Sequence, residues 1–360
     1  MFPVRRQVAN TLVLNRRGHV ASLFAVIHRI VVNRKLPEIS GPCLNSAFYL
    51  KRALCVVYEA LFRPNDRLNE PPMKVAVKCL KGSFDQYIDR DVRDFLQECA
   101  IMVDFCHANV MPLLGVNLHD NDGNIDPKLI LPFCANGNVH TFVSSAENVT
   151  SKKRFKLHFC ATKTFYERSK LLCPFRSCPC RKSLTFLLQI ANGMKYLSTD
   201  LRTAKMVHRD LRGSQHSVRK LDENMSIVIS DFGLSRAVQQ LQGETYVVKR
   251  NRSTPWQWAA PEVLESCQFS TKSDVWSFGV VVWEMLEKGS VPYGEIHDED
   301  QALAFLRSGG RLRWPTCCPA NLHDVLLHCW NYCPANRPSF AELYVMISEI
   351  IRALNAPAVV

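Results

Sequence analysis

The 360-residue sequence has no uncharged apolar run long enough to cross a bilayer. Its most apolar early stretch, Val20 to Val32, contains His28 and Arg29, and eleven residues separate Arg17 from Arg29, against the roughly 18 that a spanning helix needs. A secretory signal is excluded on similar grounds, because Arg16 and Arg17 interrupt the place of an apolar core. Matched cysteine pairs are also lacking. The 15 Cys are odd in number and scattered, which fits a reducing, cytoplasmic setting where Cys is a small apolar residue. Acid is missing from residues 1–35, which hold seven Lys/Arg, but this stretch is too poor in Ser to favour a transit peptide.

What is present describes a soluble globular chain: 47% hydrophobic and 22% charged residues, with a length that suggests about two domains of roughly 150 residues. The net charge of +12 is unevenly placed. Residues 1–35 carry +7 and residues 151–182 carry +9, so the remainder is at −4. That mildly acidic body makes a nucleic-acid partner unexpected.

Along the chain, residues 1–45 form a basic leader without clean periodicity. Met73 to Leu80 reads as a strand between Pro71-Pro72 and Gly82. From Asp91 to Phe105 a helix is expected, with Phe95, Cys99, Met102 and Cys106 at helical spacing. His119 to Pro127 reads as a turn-rich connection and Lys128 to Phe133 as a strand. Beyond residue 183 helical patterns dominate: Leu187, Ile190, Met194 and Leu197 form one stripe, and Ser277 to Leu286 is a nearly all-apolar buried helix. A strand-rich part before a helix-rich part predicts an α+β protein of two lobes.

The chemistry concentrates in a few constellations. In Val75-Ala76-Val77-Lys78, strand alternation puts Ala76 and Lys78 on one face, so a small residue admits a flat ring while the ammonium reaches a phosphate. Glu98, on the following helix, is placed to pair with Lys78. His208-Arg209-Asp210-Leu211 and, 21 residues on, Asp231-Phe232-Gly233 supply one carboxylate suited to a hydroxyl proton and a second suited to Mg²⁺ against ATP phosphates. Ala260-Pro261-Glu262 follows 29 residues after Asp231.

Taken in that order, these motifs resemble the protein kinase family over about residues 50–352. The resemblance implies a bilobal α+β fold with a small lobe over 46–134, a large lobe over 135–352 interrupted by a basic insert at 151–182, and a tail at 353–360. Arg212, two residues after Asp210, and Pro255-Trp256-Gln257-Trp258-Ala259 are similar to the tyrosine kinases. Phe95 to Val116, Ile130 to Phe133, Gly193 to Thr199 and Glu223 to Ser226 most resemble the Axl/Mer-type receptor tyrosine kinases.

By that resemblance Lys78, Asp210 and Arg212 would be catalytic, with Asp231 and Gln215 holding Mg²⁺. Leu131 would be the gatekeeper, and Pro132, Phe133 and Cys134 the hinge that meets adenine beside Ala76. Glu262, Arg337 and Asp274 would be structural, the first two as a buried ion pair. Tyr246 is the one Tyr between Asp231 and Glu262, and its phosphate would pair with Arg209. The implied activity is transfer of the ATP γ-phosphate to protein tyrosine, with a homodimer for trans-phosphorylation. The setting would be the cytoplasm, on the cytosolic face of the plasma membrane if the chain is part of a receptor, with the leader resting on acidic lipid.

The pattern also departs from the family. The positions of the phosphate-lid glycines align with Leu50, Arg52 and Cys55, and no Gly occurs between Gly41 and Gly82. Gln215 stands where a metal-binding Asn is expected, one methylene longer, and the Asp210 to Asp231 interval is about three residues long for the family. These departures keep a second reading open, a catalytically impaired pseudokinase that acts as a scaffold. Cys178-Pro179-Cys180 lacks a second matched pair, so the insert reads as a mobile kinase insert rather than a zinc site.

Overall fold

The computed structural model describes residues 55–62, 71–80, 89–119, 125–144, 180–201, 205–213, 216–221, 224–237, 246–247, 255–315 and 318–355. The leader, Gln215 and all but the last residues of the 151–182 insert lie outside them. The chain divides into two compact units, one running to Ala135 and taking in Ser230–Ser235, the other built from Asn136–Asp200, Lys205–Ile229 and Arg236 onward. Among the described residues no helix is long and apolar enough to cross a membrane.

The first unit is an antiparallel sheet of β1 (Cys55–Phe62), β2 (Met73–Leu80), β3 (Gly115–His119) and β4 (Ile125–Pro132), in the order β1-β2-β4-β3. Strand β2 has the bounds that its β-branched run predicts. Its Val75 and Val77 join Ala60, Phe62 and Ile130 in one apolar cluster, which leaves Ala76 and Lys78 on the other face. Strand β4 begins at Ile125, earlier than the expected Lys128, so the turn-rich connection is shorter than the sequence suggests. Pro127 is tolerated there because it lies beyond the pairing with β2, which ends at Cys79↔Lys128, and beside an irregularity in the pairing with β3.

Helix α1 (Asp89–Met102) buries Val92, Phe95, Leu96, Cys99 and Met102. It stops short of the expected Phe105, and Cys106, assigned to its apolar stripe from spacing, is exposed beyond its end. The period persisted in sequence after the backbone had left the helix.

The second unit is mostly helical. Short α2 (Val139–Ser144) precedes α3 (Cys180–Lys195), which runs into a π turn at Tyr196–Asp200 and buries Leu187, Ile190, Met194 and Leu197 as the stripe requires. Three small two-stranded sheets follow that periodicity did not foresee: β5 (Met206–Val207) with β8 (Arg236–Ala237), β6 (His216–Leu221) with β7 (Asn224–Ile229), and β9 (Tyr246–Val247) with β10 (Gln268–Phe269).

Helix α4 (Pro261–Ser266) starts on Pro at a position where no intrahelical N–H is needed. Helix α5 (Thr271–Leu286) is the core of this unit, longer at its start than the apolar run because Ser270 and Ser273 form a reciprocal capping box. Around it lie α6 (Glu299–Arg307), α7 (Ala320–Cys329) and α8 (Phe340–Asn355), with Phe278 edge-on to Phe340 at 5.9 Å. A Cβ at Gly279 would stand 2.6 Å from the Trp330 indole nitrogen, so glycine there is what lets α5 approach the Trp330 ring closely.

Candidate active site

In the first unit, β2 delivers Lys78 and α1 delivers Glu98 to one buried point. The Lys78 ammonium lies 2.7 and 2.6 Å from the two oxygens of Glu98 and 3.2 Å from Oδ1 of Asp231. Both Lys78 and Glu98 are buried, at 7% and 4% exposure, where an unpaired charge would be costly. These three groups together have a formal charge of −1. Asp231 adopts a left-handed backbone at φ 67, a conformation most residues avoid. The next residue, Phe232, is buried edge-on against Phe105 at 4.7 Å, which anchors the turn.

On the same face of β2 as Lys78, Ala76 pairs with Leu131 of β4, and both are half-buried. Pro132 pairs with Val75 and is buried. Phe133 lies under the Lys74 ammonium at 5.6 Å, and the Cys134 thiol donates to the Pro132 carbonyl at 3.9 Å. The structure therefore brings Ala76, Lys78, Glu98, Leu131, Pro132, Phe133, Cys134 and Asp231 into one unit.

In the second unit, Asp210 faces Arg212, whose Nη2 donates to Oδ2 at 3.1 Å and whose Nε lies 2.8 Å from Oδ1. The loop that carries Asp210 hangs from α5: Asp274 accepts the amides of His208 at 2.7 Å and Arg209 at 3.0 Å. Burial pushes the Asp274 carboxyl up to about 7, against the pull of those two amides. Arg209 has φ 70 and lays its guanidinium over the Phe269 ring at 4.4 Å. Phe269 is the strand partner of Tyr246, so the backbone of that tyrosine is opposite the ring Arg209 covers.

Glu262 and Arg337 meet in a two-pronged ion pair, at 2.6 and 2.8 Å. Arg337 also donates to the carbonyls of Asn331, Lys272 and Tyr332, so all five of its N–H groups are used, and its guanidinium lies 5.0 Å from the Trp276 ring.

One residue escaped sequence reasoning. Glu284 lies inside the apolar run of α5, 1% exposed, and accepts from the Gly213 amide and the Trp258 indole while its other oxygen meets His140 Nδ1. A single acid in an otherwise apolar buried stretch was the available signal, since such a group survives only with partners.

A family profile described as protein tyrosine and serine/threonine kinase matches residues 52–347. The chain is 34% identical over 295 residues to the tyrosine-protein kinase transforming protein RYK of Avian retrovirus RPL30, covering 81% of this chain and 59% of that protein. It is 33% identical over 282 residues to tyrosine-protein kinase Mer of Mus musculus, covering 78% of this chain and 25% of Mer. A third relative, the tyrosine-protein kinase receptor TYRO3 of Danio rerio, is 33% identical over 289 residues, 80% of this chain and 29% of the receptor. The chain thus spans less than two thirds of the length of each.

Proposed function

We propose, for a chain that belongs to the protein tyrosine and serine/threonine kinase family and has its α+β fold, that it transfers the ATP γ-phosphate to tyrosine hydroxyls of protein substrates. The observation that carries this reading is the buried Lys78 ammonium held between the carboxylates of Glu98 and Asp231. Hard carboxylate oxygens are the donors Mg²⁺ prefers, so Asp231 would hold the ion, with Gln215 as second ligand. When bound, Mg²⁺ would supply neutralisation of the phosphate charge.

The remaining work falls to the chain's own residues. Lys78, oriented by Glu98, holds the α- and β-phosphates; Ala76, Leu131 and the Pro132, Phe133 and Cys134 backbone receive adenine. Asp210 accepts the phenolic proton, and Arg212 orients its carboxylate and steadies the charge that develops. Phosphorylation of Tyr246 adds nearly two negative charges, which pair with Arg209. Glu262 with Arg337, and Asp274, keep the large-lobe segments in place.

The lobes are assigned as 46–134 and 135–352, with the insert at 151–182. Similarity to receptors supports a position on the cytosolic face of the plasma membrane, trans-phosphorylation in a homodimer, and contact of the basic leader with acidic lipid.

The test is Mg-ATP-dependent phosphorylation of a poly(Glu,Tyr) copolymer by the purified chain, with Lys78→Met as control. Incorporation by the wild type alone is expected. Equal background from both, with no nucleotide-induced rise in melting temperature, would overturn the enzyme and leave the scaffold.

A further inference from the structure

Tyr332 holds a place that the proposed chemistry does not use. It stands in a bend between α7 and α8, outside any helix or strand, and is 39% exposed. Its hydroxyl donates to Glu265 Oε1 of α4 at 2.7 Å, and Arg307 Nε of α6 donates to the same oxygen at 2.9 Å. One carboxylate oxygen thus ties α4 both to the bend and to α6, and it sets a guanidinium beside the phenol. The two partners are open to solvent as well, with the Arg307 and Glu265 side chains 59% and 32% exposed.

The surroundings suit a phosphate. Arg311 donates to the carbonyl of Trp330, Arg337 to those of Asn331 and Tyr332, and Arg307 lies at the hydroxyl. Three guanidinium groups therefore converge on residues 330–332, against the two carboxylates of Glu262 and Glu265, a formal charge of +1. Arg311 forms no ion pair among the described residues: its other donors go to the carbonyls of Leu306 and Gly310, and it is within electrostatic reach of the Tyr332 oxygen. A phosphoryl group brings nearly two negative charges, and opposite arginines it gains charge-assisted hydrogen bonds.

We infer that Tyr332 is a second phosphorylation site, whose phosphate captures Arg307 from Glu265 and so unties α4 from α6 and from the bend. This rests on the kinase reading above, with a second copy of the chain as the enzyme. The γ-phosphorus of ATP bonds to the Tyr332 oxygen as its bond to the leaving oxygen of ADP breaks, and the phenolic proton passes to Asp210 of that second copy. The phosphate outweighs a single carboxylate in the competition for Arg307, and it repels Glu265 from the place the hydroxyl now holds. The Glu262 and Arg337 pair keeps the start of α4 anchored, so the release is confined to the end that carries Glu265.

The test incubates the full chain with Mg-ATP and locates phosphate by mass spectrometry in the 314–337 segment, in which Tyr332 is the one tyrosine. Phosphate is expected there in the wild type, and also in an isotope-labelled Lys78→Met chain mixed with unlabelled wild type. Phosphorylation should speed hydrogen exchange in residues 261–267 at least threefold and leave exchange in α5 unchanged. Tyr332→Phe treated in the same way should show no further change, which separates this site from Tyr246.

A wild type that phosphorylates the poly(Glu,Tyr) copolymer but leaves the 314–337 segment bare would overturn the site. Phosphate there with exchange unchanged, or with a rise shared by α5, would overturn the switch. A wild type that transfers nothing to the copolymer would defeat the kinase reading instead. An unrelated active tyrosine kinase then supplies the phosphate: its appearance in the 314–337 segment supports the site, and its absence removes it.

Discussion

The two units treat buried charge in opposite ways. Around Lys78 two carboxylates, one from α1 and one from the Asp231 turn, share one ammonium. Around Arg337 every donor is spent on a carboxylate or a carbonyl, and Asp274 likewise spends its oxygens on two amides. A saturated cluster has nothing left to offer a ligand and serves the fold. Two carboxylates gathered on one buried ammonium suit the cation and phosphates of the proposed site. In the proposed function that difference divides the structural residues from the chemical ones.

The largest expected effect comes from removing the ammonium. Lys78→Met should lower copolymer phosphorylation at least 100-fold, and because it leaves Glu98 buried without its cation it should also cost about 3 kcal/mol in denaturant unfolding. Adding Glu98→Leu should restore most of that stability but none of the activity. Recovery of activity in the double variant would break the comparison.

The saturated cluster should answer differently. Arg337→Lys reduces five donors to three on a round, less directional head, so unfolding should become easier by about 3 kcal/mol while turnover per folded molecule stays close to wild type. A selective loss of turnover at unchanged stability would give Arg337 a chemical role it is not assigned.

A smaller effect, with a pH signature, is expected at Asp274. Its folded carboxyl titrates at about 7, above the roughly 3.9 of an unfolded Asp, so between those values the folded chain holds a proton the unfolded chain has released. The stabilising contribution is complete below about pH 4 and is lost as pH rises through about 7. Asp274→Asn gives up one amide acceptor, at roughly 2 kcal/mol, and removes the titration. Its deficit relative to wild type should be widest near pH 4 and narrow towards pH 7 in unfolding curves. A deficit that widens with pH would mean the two amides, not burial, set this carboxyl.

Much of the fold is legible in the sequence. The β-branched run at Met73 to Leu80 folds as the strand it describes, because Val75 and Val77 need the core and their neighbours do not. The Lys78 and Glu98 pairing follows from a strand, a helix and the family's ordered motifs. What stayed hidden is contact made through space. Glu284 finds donors 26, 71 and 144 residues away, and no period or spacing announces such partners. The helix end at Met102 was missed for the opposite reason: Phe105 and Cys106 extend an apolar rhythm that the backbone no longer follows.

The smallest structural effect belongs to Tyr246→Phe. Melting temperature should stay within about 1 °C, while phosphotyrosine content after incubation with Mg-ATP falls, measured by mass spectrometry of the 232–261 segment. Unchanged phosphotyrosine at that segment would remove the regulatory assignment and with it the pairing to Arg209.

The contrast between the two clusters is tested most directly by calorimetric titration of Mg-ATP into wild type, Asp231→Asn and Asp274→Asn. Binding to wild type and to Asp274→Asn at affinities within threefold of each other, with at least a tenfold loss in Asp231→Asn, is the predicted result. Equal affinity in all three, or loss confined to Asp274→Asn, would contradict the account.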